Sequence, residues 1–419
     1  MINWRFRKKN IRQRFFVLSL AGLGYAMIQY NAISFITDIY NLYQPKEVTV
    51  SDIFISLIWG LLPATFLPLK TSASAAVAWV YYAFIYLSAA AVGVTVHELL
   101  FQYCCYMLFL LFGLLVVYLF SRFPISIPVV KASVPQLDKI FLLILLLIAI
   151  YAWYLSGFTP NLGIDNVYER RMEARETVGK SGYMLAPLLL LFPVLAIYAW
   201  FIRQNLVWIF VFLIGAFGIY SYSGTKSIII YFILIWIIMF GLKKNNLAVY
   251  LLGLIVSLNI MAFLEFRING SVALLDYVIR RSFVVPGDLS SFYWQYTPVP
   301  SGLQNITFEI GEAYSGNSAT NANTNFIMFG WVWSGWLGGF IVAAFAGLIL
   351  SVFKCVHNAK YPYLGSLMAS ATMLIWSEQF LHTSLLSSGV FWMLATAFLI
   401  AILPNSLKQL GNKTSLQNA

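Results

Sequence analysis

Long apolar runs alternate with short polar segments along the whole chain. Each run is close to the length of about 20 residues that a helix needs to cross a bilayer. The runs lie at 15–36, 52–69, 73–94, 99–120, 140–158, 183–202, 206–222, 227–241, 247–264, 325–352, 364–380 and 389–404. This pattern predicts an all-α polytopic membrane protein with about twelve transmembrane helices, forming a single membrane domain over residues 1–419.

The composition excludes a soluble globular protein. Of the 419 residues, 61% are apolar and only 10% are charged, whereas soluble domains average about a quarter charged residues. No large water-exposed domain fits this balance, and a nucleic-acid partner is not expected despite a net charge of +11. The cysteines Cys104, Cys105 and Cys355 lie in or beside apolar runs and form neither a disulfide framework nor a spaced metal motif.

Charge sets the predicted orientation. A basic stretch precedes the first run, which predicts a cytoplasmic N-terminus because cytoplasmic segments are enriched in lysine and arginine. That stretch contains Arg5, Arg7, Lys8, Lys9, Arg12 and Arg14. With this orientation most basic residues fall inside, the acidic residues other than Asp138 fall outside, and the C-terminus is also cytoplasmic. The first run lacks a small-residue cleavage pattern, so it is predicted to be an uncleaved anchor.

Two predicted external loops exceed ordinary hairpin length, at residues 159–182 and 265–324. The second has about 60 residues, a length typical of functional or disordered segments. Its many aromatic residues favour order, so it is predicted to contain short helices before the tenth run. In residues 272–284, one helical stripe carries apolar side chains and another pairs Asp276 with Arg280. The apolar stripe consists of Val272, Leu275, Ile279 and Phe283.

Basic residues on the predicted external side cluster in these loops and one hairpin. They include Arg170, Arg171, Arg175, Lys226, Arg267, Arg280 and Arg281. Arginine binds phosphate oxygens through its planar, permanently charged fork, so this set is predicted to bind pyrophosphate. Other interpretations stay open: neighbouring glutamates could neutralise the arginines of the first loop. Lipid headgroups could meet Arg280 and Arg281, and Lys226 could extend to the membrane surface.

Proton transfer and sugar binding have candidates on the same side. The external titratable groups are His382, Glu378, Glu309, Glu312, Asp276 and Asp288. The base is predicted to be Glu309, with Glu312 as its neighbour, or His382, because histidine titrates nearest neutrality. Sugar stacking is assigned to Tyr293, Trp294 and Tyr296, with an interfacial aromatic belt as the alternative. The sequence contains no metal-ligand spacing and no glycine-rich phosphate cradle.

Three motifs together resemble the oligosaccharide repeat-unit polymerases of bacterial surface polysaccharide assembly, the O-antigen polymerase or Wzy-type family. They are Asp165-Asn-Val-Tyr-Glu-Arg-Arg171, Ser223-Gly-Thr-Lys-Ser227, and Asn321-Ala-Asn-Thr-Asn-Phe326 leading into Gly330-Trp-Val-Trp-Ser-Gly-Trp-Leu-Gly-Gly-Phe340. Lys226 stands where relatives often have arginine, which keeps the charge but weakens bidentate phosphate recognition.

The resemblance implies a glycosyltransferase that joins undecaprenyl-pyrophosphate-linked repeat units on the outer face of the plasma (inner) membrane, in which it is a multi-pass protein. It implies no metal or nucleotide cofactor. Its partners would be lipid-linked oligosaccharides, membrane lipids, and the flippase and chain-length regulator of the same pathway. The alternatives are a lipid-linked glycan flippase or secondary transporter, and an O-antigen ligase-type transferase. A transporter commonly has broken helices and polar residues at mid-membrane depth.

Overall fold

The structure is a computed structural model of the 419-residue chain. It describes residues 2–33, 47–128, 137–161, 170, 174, 185–224, 227–295, 306–315, 322–358, 361 and 363–403. Within these ranges the regular backbone is entirely helical, without a strand. The predicted all-α fold class is therefore confirmed for the described residues.

The helices follow the apolar runs closely. In chain order they are α1 (Ile2–Asn31), α2 (Val50–Phe66), α3 (Ala73–Val96), α4 (Leu100–Phe120), α5 (Leu137–Leu155), α6 (Ala186–Leu189), α7 (Leu191–Arg203), α8 (Val207–Ser223), α9 (Ser227–Lys243), α10 (Leu247–Asn269), α11 (Leu275–Val284), α12 (Val285–Gln295), α13 (Ile306–Ser315), α14 (Phe326–Asn358), α15 (Leu364–Trp376), α16 (Leu381–Ser387) and α17 (Val390–Ile402). Each predicted run overlaps one of these helices, except that 183–202 overlaps both α6 and α7.

Four of the described helices are long and apolar enough to cross a membrane: α3, α4, α10 and α14. Shorter apolar helices form at α2, α5, α7, α8, α9, α15 and α17. The chain is accordingly a helical membrane protein. The count of twelve crossings and the cytoplasmic placement of both termini stay predictions.

The chain divides into two compact units. The first contains Met1–Arg122, Lys244–Leu348 and Met373–Phe380. The second contains Phe123–Lys243, Ile349–Thr372 and Leu381–Ala419. The single membrane domain predicted from the sequence stays a prediction.

Helix α3 is wholly buried in the first unit and packs against α1, α2, α4 and α12. Its sequence is rich in alanine, and small residues let neighbouring helices approach closely in a membrane. Longer side chains add hydrogen bonds: Tyr82 donates to the Gly60 carbonyl of α2 at 2.9 Å. This helix is the core against which the candidate site is built.

The end of α2 and the residue before α10 both contact the first half of α1. Arg14 of α1 donates from Nη1 to the carbonyls of Ala64 (2.8 Å) and Leu67 (2.6 Å) at the end of α2. These are carbonyls that a helix end leaves without an intrahelical partner. Gln13 donates to Asn246, just before α10, at 2.6 Å. The placement of these segments on the cytoplasmic side stays a prediction.

The second unit is built around the pair α5 and α8, which cross through small residues. A Cβ built on Gly215 would lie 3.1 Å from the Ala149 Cβ, and one on Gly218 would lie 3.2 Å from the Ala152 Cβ. Trp153 donates from Nε1 to the Ile214 carbonyl at 2.8 Å. This close approach is typical of helix packing in membranes.

Helix α14 is broken inside the tenth predicted run. Ser334 (φ −158°, ψ 30°) and Gly335 (φ 59°, ψ −134°) leave the helical conformation, and the positive φ explains a glycine at 335. Gly330 and Gly338 meet across the break, where a Cβ built on Gly338 would lie 2.0 Å from the Gly330 carbonyl oxygen. Backbone irregularity at membrane depth is tolerated where it is buried in protein or lines a cavity.

Candidate functional site

The predicted large external loop contains a continuous helical segment, α11 followed by α12, that packs along α3. Four successive contacts join them: Phe283 to Phe84, Gly287 to Ser88, Ser291 to Gly93 and Gln295 to Val96. Residue numbers increase in the same direction along both helices in these four contacts, so α12 runs parallel to the second half of α3. The helix predicted over residues 272–284 is thus the start of a longer segment that lies against a candidate membrane span.

Small residues allow α12 to pack closely against α3. A Cβ on Gly287 would lie 2.8 Å from the Ser88 carbonyl oxygen, and one on Gly93 would lie 3.0 Å from the Ser291 Oγ. Small faces of this kind are common where helices cross closely in membranes. The predicted apolar stripe is confirmed as buried at Leu275, Ile279 and Phe283.

The arginine pair lies on α11, which is a π-helix. Arg280 donates from Nε to Asp276 Oδ1 at 2.5 Å, and its Nη2 is also 2.5 Å from that oxygen. The predicted pairing of Asp276 with Arg280 is confirmed. Both side chains keep some exposure, 16% for Arg280 and 17% for Asp276, and Arg281 is exposed. π-Helical turns are rare and frequently mark functional sites.

A buried polar cluster follows directly in α12, which we call the α12 polar cluster. Its members are Asp288, Ser290, Ser291, Tyr106, Tyr314 and Asn325. Ser290 Oγ accepts hydrogen bonds from the Tyr106 hydroxyl at 2.8 Å and from Asn325 Nδ2 at 3.0 Å. Buried polar groups with defined partners fix a unique local arrangement.

Asp288 is the carboxyl of this cluster and is only 2% exposed. The Tyr314 hydroxyl donates to its Oδ2 at 2.5 Å. Burial raises the pKa of Asp288 to about 7, although the Tyr314 hydrogen bond lowers it. A carboxyl with a pKa near the working pH can both take up and release a proton.

Aromatic rings gather beside the end of α12. Trp294 is half-buried and stacks on Trp331 of α14 with ring centroids 3.7 Å apart. Phe109 of α4 packs against Trp331 and Trp336 at 5.2 and 5.3 Å. Trp294 thus keeps part of its surface open beside a rigid aromatic cluster, which suits stacking on a sugar.

Tyr293, also predicted to bind sugar, lies elsewhere. Its ring is fully buried and packs against Phe380. Its hydroxyl donates to the Ala322 carbonyl at 2.6 Å, and burial raises its pKa. These contacts favour a structural role in which Tyr293 holds the segment that leads into α14.

The other predicted residues of the first unit are exposed. Glu309 and Glu312 lie on the exposed face of α13, whose Ile310 is buried. Arg267 lies in the last turn of α10, with its guanidinium 5.4 Å from the Phe263 ring centre. The roles of Glu309 and Glu312 in catalysis and of Arg267 in pyrophosphate binding stay predictions.

Arg170 belongs to the second unit and is 8% exposed. Its Nη1 donates to the carbonyls of Asn161 (2.9 Å), Tyr220 (3.2 Å) and Ser221 (3.2 Å), and its guanidinium lies over the Tyr220 ring. A cation at the last carbonyls of a helix is favourable, so Arg170 stabilises the end of α8. This contact favours a structural role, and pyrophosphate binding by Arg170 stays a prediction.

His382 is also in the second unit, near the start of α16, and is exposed. The partial loss of water around its ring lowers its pKa, which favours the neutral form that a base needs. Four other predicted site residues, Arg171, Arg175, Lys226 and Tyr296, lie outside the described residues. Within the described ranges, no group of three His, Cys, Asp or Glu side chains is placed to hold a metal.

Sequence reasoning missed most of the α12 polar cluster. Asp288 was one of six titratable candidates, and nothing in the sequence distinguished it from Glu309. Asn325 is the last asparagine of one of the quoted motifs, Asn321-Ala-Asn-Thr-Asn-Phe326. A second signal was available in Gly287-Asp-Leu-Ser-Ser291, a small and polar run directly after an apolar stripe. Tyr106 lies inside an apolar run and gave no such signal.

Comparison of the chain with models of protein families, with curated proteins and with solved structures finds no match.

Proposed function

We propose that the chain polymerises lipid-linked oligosaccharides, joining undecaprenyl-pyrophosphate-linked repeat units into surface polysaccharide. One observation carries the proposal. A single helical segment, α11 with α12, carries adjacent arginines, then a buried polar cluster, then a half-buried tryptophan. These are three kinds of group that glycosyl transfer from a lipid pyrophosphate requires.

In this proposal the arginines stabilise the leaving group. Transfer of the glycan breaks the bond between its anomeric carbon and the pyrophosphate, so negative charge grows on the departing oxygen. Preorganised cations that oppose such charge are usually the largest catalytic contribution. Arg280 and Arg281 are adjacent and neither is fully buried by protein, and guanidinium groups match phosphate oxygens in shape.

In this proposal the aromatic cluster binds the sugars. Trp294 stacks on Trp331 and also contacts Tyr106 and Phe109, and the part of its ring that stays exposed could pack on the C–H face of a pyranose ring. In this proposal the reaction takes place on the outer face of the plasma membrane. It uses no metal or nucleotide, and the flippase and chain-length regulator of the pathway are the protein partners.

A flippase or secondary transporter is the second candidate, and the break in α14 favours it. Discontinuous helices in transporters place backbone groups at a midplane substrate site. The Ser334–Gly335 break lies inside an apolar helix and beside the aromatic cluster. In a polymerase, the same break would position Trp331 and Trp336, which lie on either side of it in α14.

Deletion of the gene from its host, followed by size analysis of surface polysaccharide, tests the two candidates. A polymerase predicts loss of long chains with survival of a product one repeat unit long. Loss of all surface glycan would instead indicate a flippase, and accumulation of long unattached chains would indicate a ligase. Complementation with the wild-type gene should restore the original size distribution and is the control.

A further inference from the structure

We propose that Asp288 is the catalytic base, which takes the proton from the acceptor sugar hydroxyl during glycosyl transfer. The inference rests on the proposed function and adds to it the residue that activates the acceptor. It differs from the base predicted from the sequence, which was Glu309 or His382.

The geometry of the carboxyl supports this role. Asp288 is held between α12 and α13, because the Tyr314 hydroxyl reaches its Oδ2. The Tyr314 hydroxyl donates to Oδ2, and the proposed role assigns the acceptor hydroxyl to the other oxygen, Oδ1. Tyr314 is partly exposed, so its hydrogen bond connects the buried carboxyl to a side chain at the protein surface.

The surroundings of Asp288 keep its proton affinity high enough for a base. Residues 87–96 of α3, packed against α12, carry no titratable side chain. The titratable and charged groups on or beside the other neighbouring elements are Asp276, Arg280 and Arg281 on α11, Glu309, Glu312 and Tyr314 on α13, Tyr106 on α4, and His97 after α3. Of these, Tyr314 donates a hydrogen bond to the carboxyl, and the ion pair of Arg280 is with Asp276.

The reaction balances without any further reactant. The acceptor oxygen forms a bond to the anomeric carbon of the donor glycan as its O–H proton passes to the Asp288 carboxylate. The bond from that carbon to the pyrophosphate oxygen breaks, and its electron pair leaves with undecaprenyl pyrophosphate. Arg280 and Arg281 oppose the charge on the leaving group, and Asp288 later releases its proton to water.

The exposed carboxyls are less suited to this step. Glu309 and Glu312 lie on the outer face of α13, where water competes with an acceptor hydroxyl for the carboxylate. Exclusion of water strengthens the hydrogen bonds and charge interactions of an active site. Asp288 alone among the described carboxyls of α11, α12 and α13 is fully buried.

Asp288→Asn tests the inference in the full-length protein purified in detergent. The probe is the one-unit undecaprenyl-pyrophosphate glycan extracted from the deletion strain, and the readout is its conversion to longer chains. We expect about a 100-fold or greater loss of rate at pH 7, the usual contribution of a general base. The amide keeps the shape of the carboxyl and can still accept the Tyr314 hydrogen bond, so the fold should persist.

The pH profile separates a base from a structural residue. The wild-type rate should rise with pH and reach half its plateau near pH 7, since the carboxylate is the active form and the pKa of Asp288 is about 7. Tyr314→Phe removes the hydrogen bond that lowers this pKa, so the rise should move to higher pH while the plateau rate is retained. A purely structural role for Tyr314 predicts an equal loss at every pH.

The matched control is another carboxyl-to-amide change. Glu47→Gln, at an exposed position outside the site, should leave the rate unchanged. Full activity of Asp288→Asn with an unchanged pH profile would overturn the role of Asp288. A collapse of activity in Glu309→Gln, with Asp288→Asn fully active, would do the same. Either result would leave the polymerase proposal standing. If the folded wild-type protein extends no chains, both proposals fall together.

Discussion

Replacing Arg280 by Gln is expected to slow repeat-unit extension about 100-fold or more, and removing Asp276 as well is expected not to restore the rate. Loss of one preorganised donor to a developing negative charge typically costs that much in turnover. Arg280 already pairs with Asp276, so its role could be limited to neutralising that carboxylate. The two roles predict opposite results in the double variant.

A double-mutant cycle distinguishes them. If Arg280 holds pyrophosphate, Asp276→Asn/Arg280→Gln remains as slow as Arg280→Gln, because the cation is still missing. If Arg280 only neutralises Asp276, the double variant recovers near wild-type rates, since neither charge is left alone. Arg281→Gln, an exposed neighbour with the same charge change, should also lose turnover. Detergent-extracted yield and monodispersity of each variant show whether insertion and folding are intact.

Gly338→Ala is expected to give the largest loss of stability of any single methyl group added to the described helices of the first unit. The new Cβ would lie 2.0 Å from the Gly330 carbonyl oxygen and 3.0 Å from its carbon. Backbone atoms cannot rotate away as a flexible side chain can. The two arms of α14, which are its parts before and after the Ser334–Gly335 break, must therefore separate. Overpacking of this kind costs on the order of 3 kcal/mol, enough to unfold a marginally stable protein.

Gly253→Ala is the matched control, because no atom lies within 4 Å of a Cβ built there in α10. It should be neutral or slightly stabilising, since alanine is a better helix former than glycine. Thermal unfolding in detergent, followed by fluorescence size-exclusion, measures both variants. An unfolding temperature for Gly338→Ala equal to that of Gly253→Ala would contradict the close contact between the two arms of α14.

The helices were predictable from sequence because hydropathy acts locally. A run such as 99–120 must be helical in a bilayer, where each backbone polar group needs a partner within the segment, and the helix found is Leu100–Phe120. The amphipathic stripe of α11 was predictable for the same reason, since helical spacing alone decides which side chains share a face. These features depend on neighbours within a few residues.

The site was harder to predict because burial depends on partners far along the chain. Asp288 and Glu309 are both acidic residues of one predicted loop, yet the first is buried against α3 and the second is exposed. The decisive contacts, such as Gly287 with Ser88 and Tyr314 with Asp288, join segments that no local pattern connects. A pKa raised by burial therefore could not be anticipated for Asp288 in particular.

Arg170 shows that charge alone does not reveal which groups a side chain contacts. On the predicted external side, an arginine beside other arginines suggests an anion site, because like charges need a neutralising partner. The structure instead gives Arg170 the carbonyls at the end of α8, where partial negative charge accumulates. The break in α14 was equally hidden, because Ser334 and Gly335 interrupt neither the apolar character nor the length of the run.

Extension of a lipid-linked repeat unit by the purified protein tests the polymerase proposal most directly. The full chain in detergent is incubated with one-unit undecaprenyl-pyrophosphate glycan, a metal chelator and no nucleotide, and the products are separated by size. We predict a ladder of glycans that differ by one repeat unit each. If monodisperse, folded protein returns the one-unit glycan unchanged, the chain is not the polymerase proposed here.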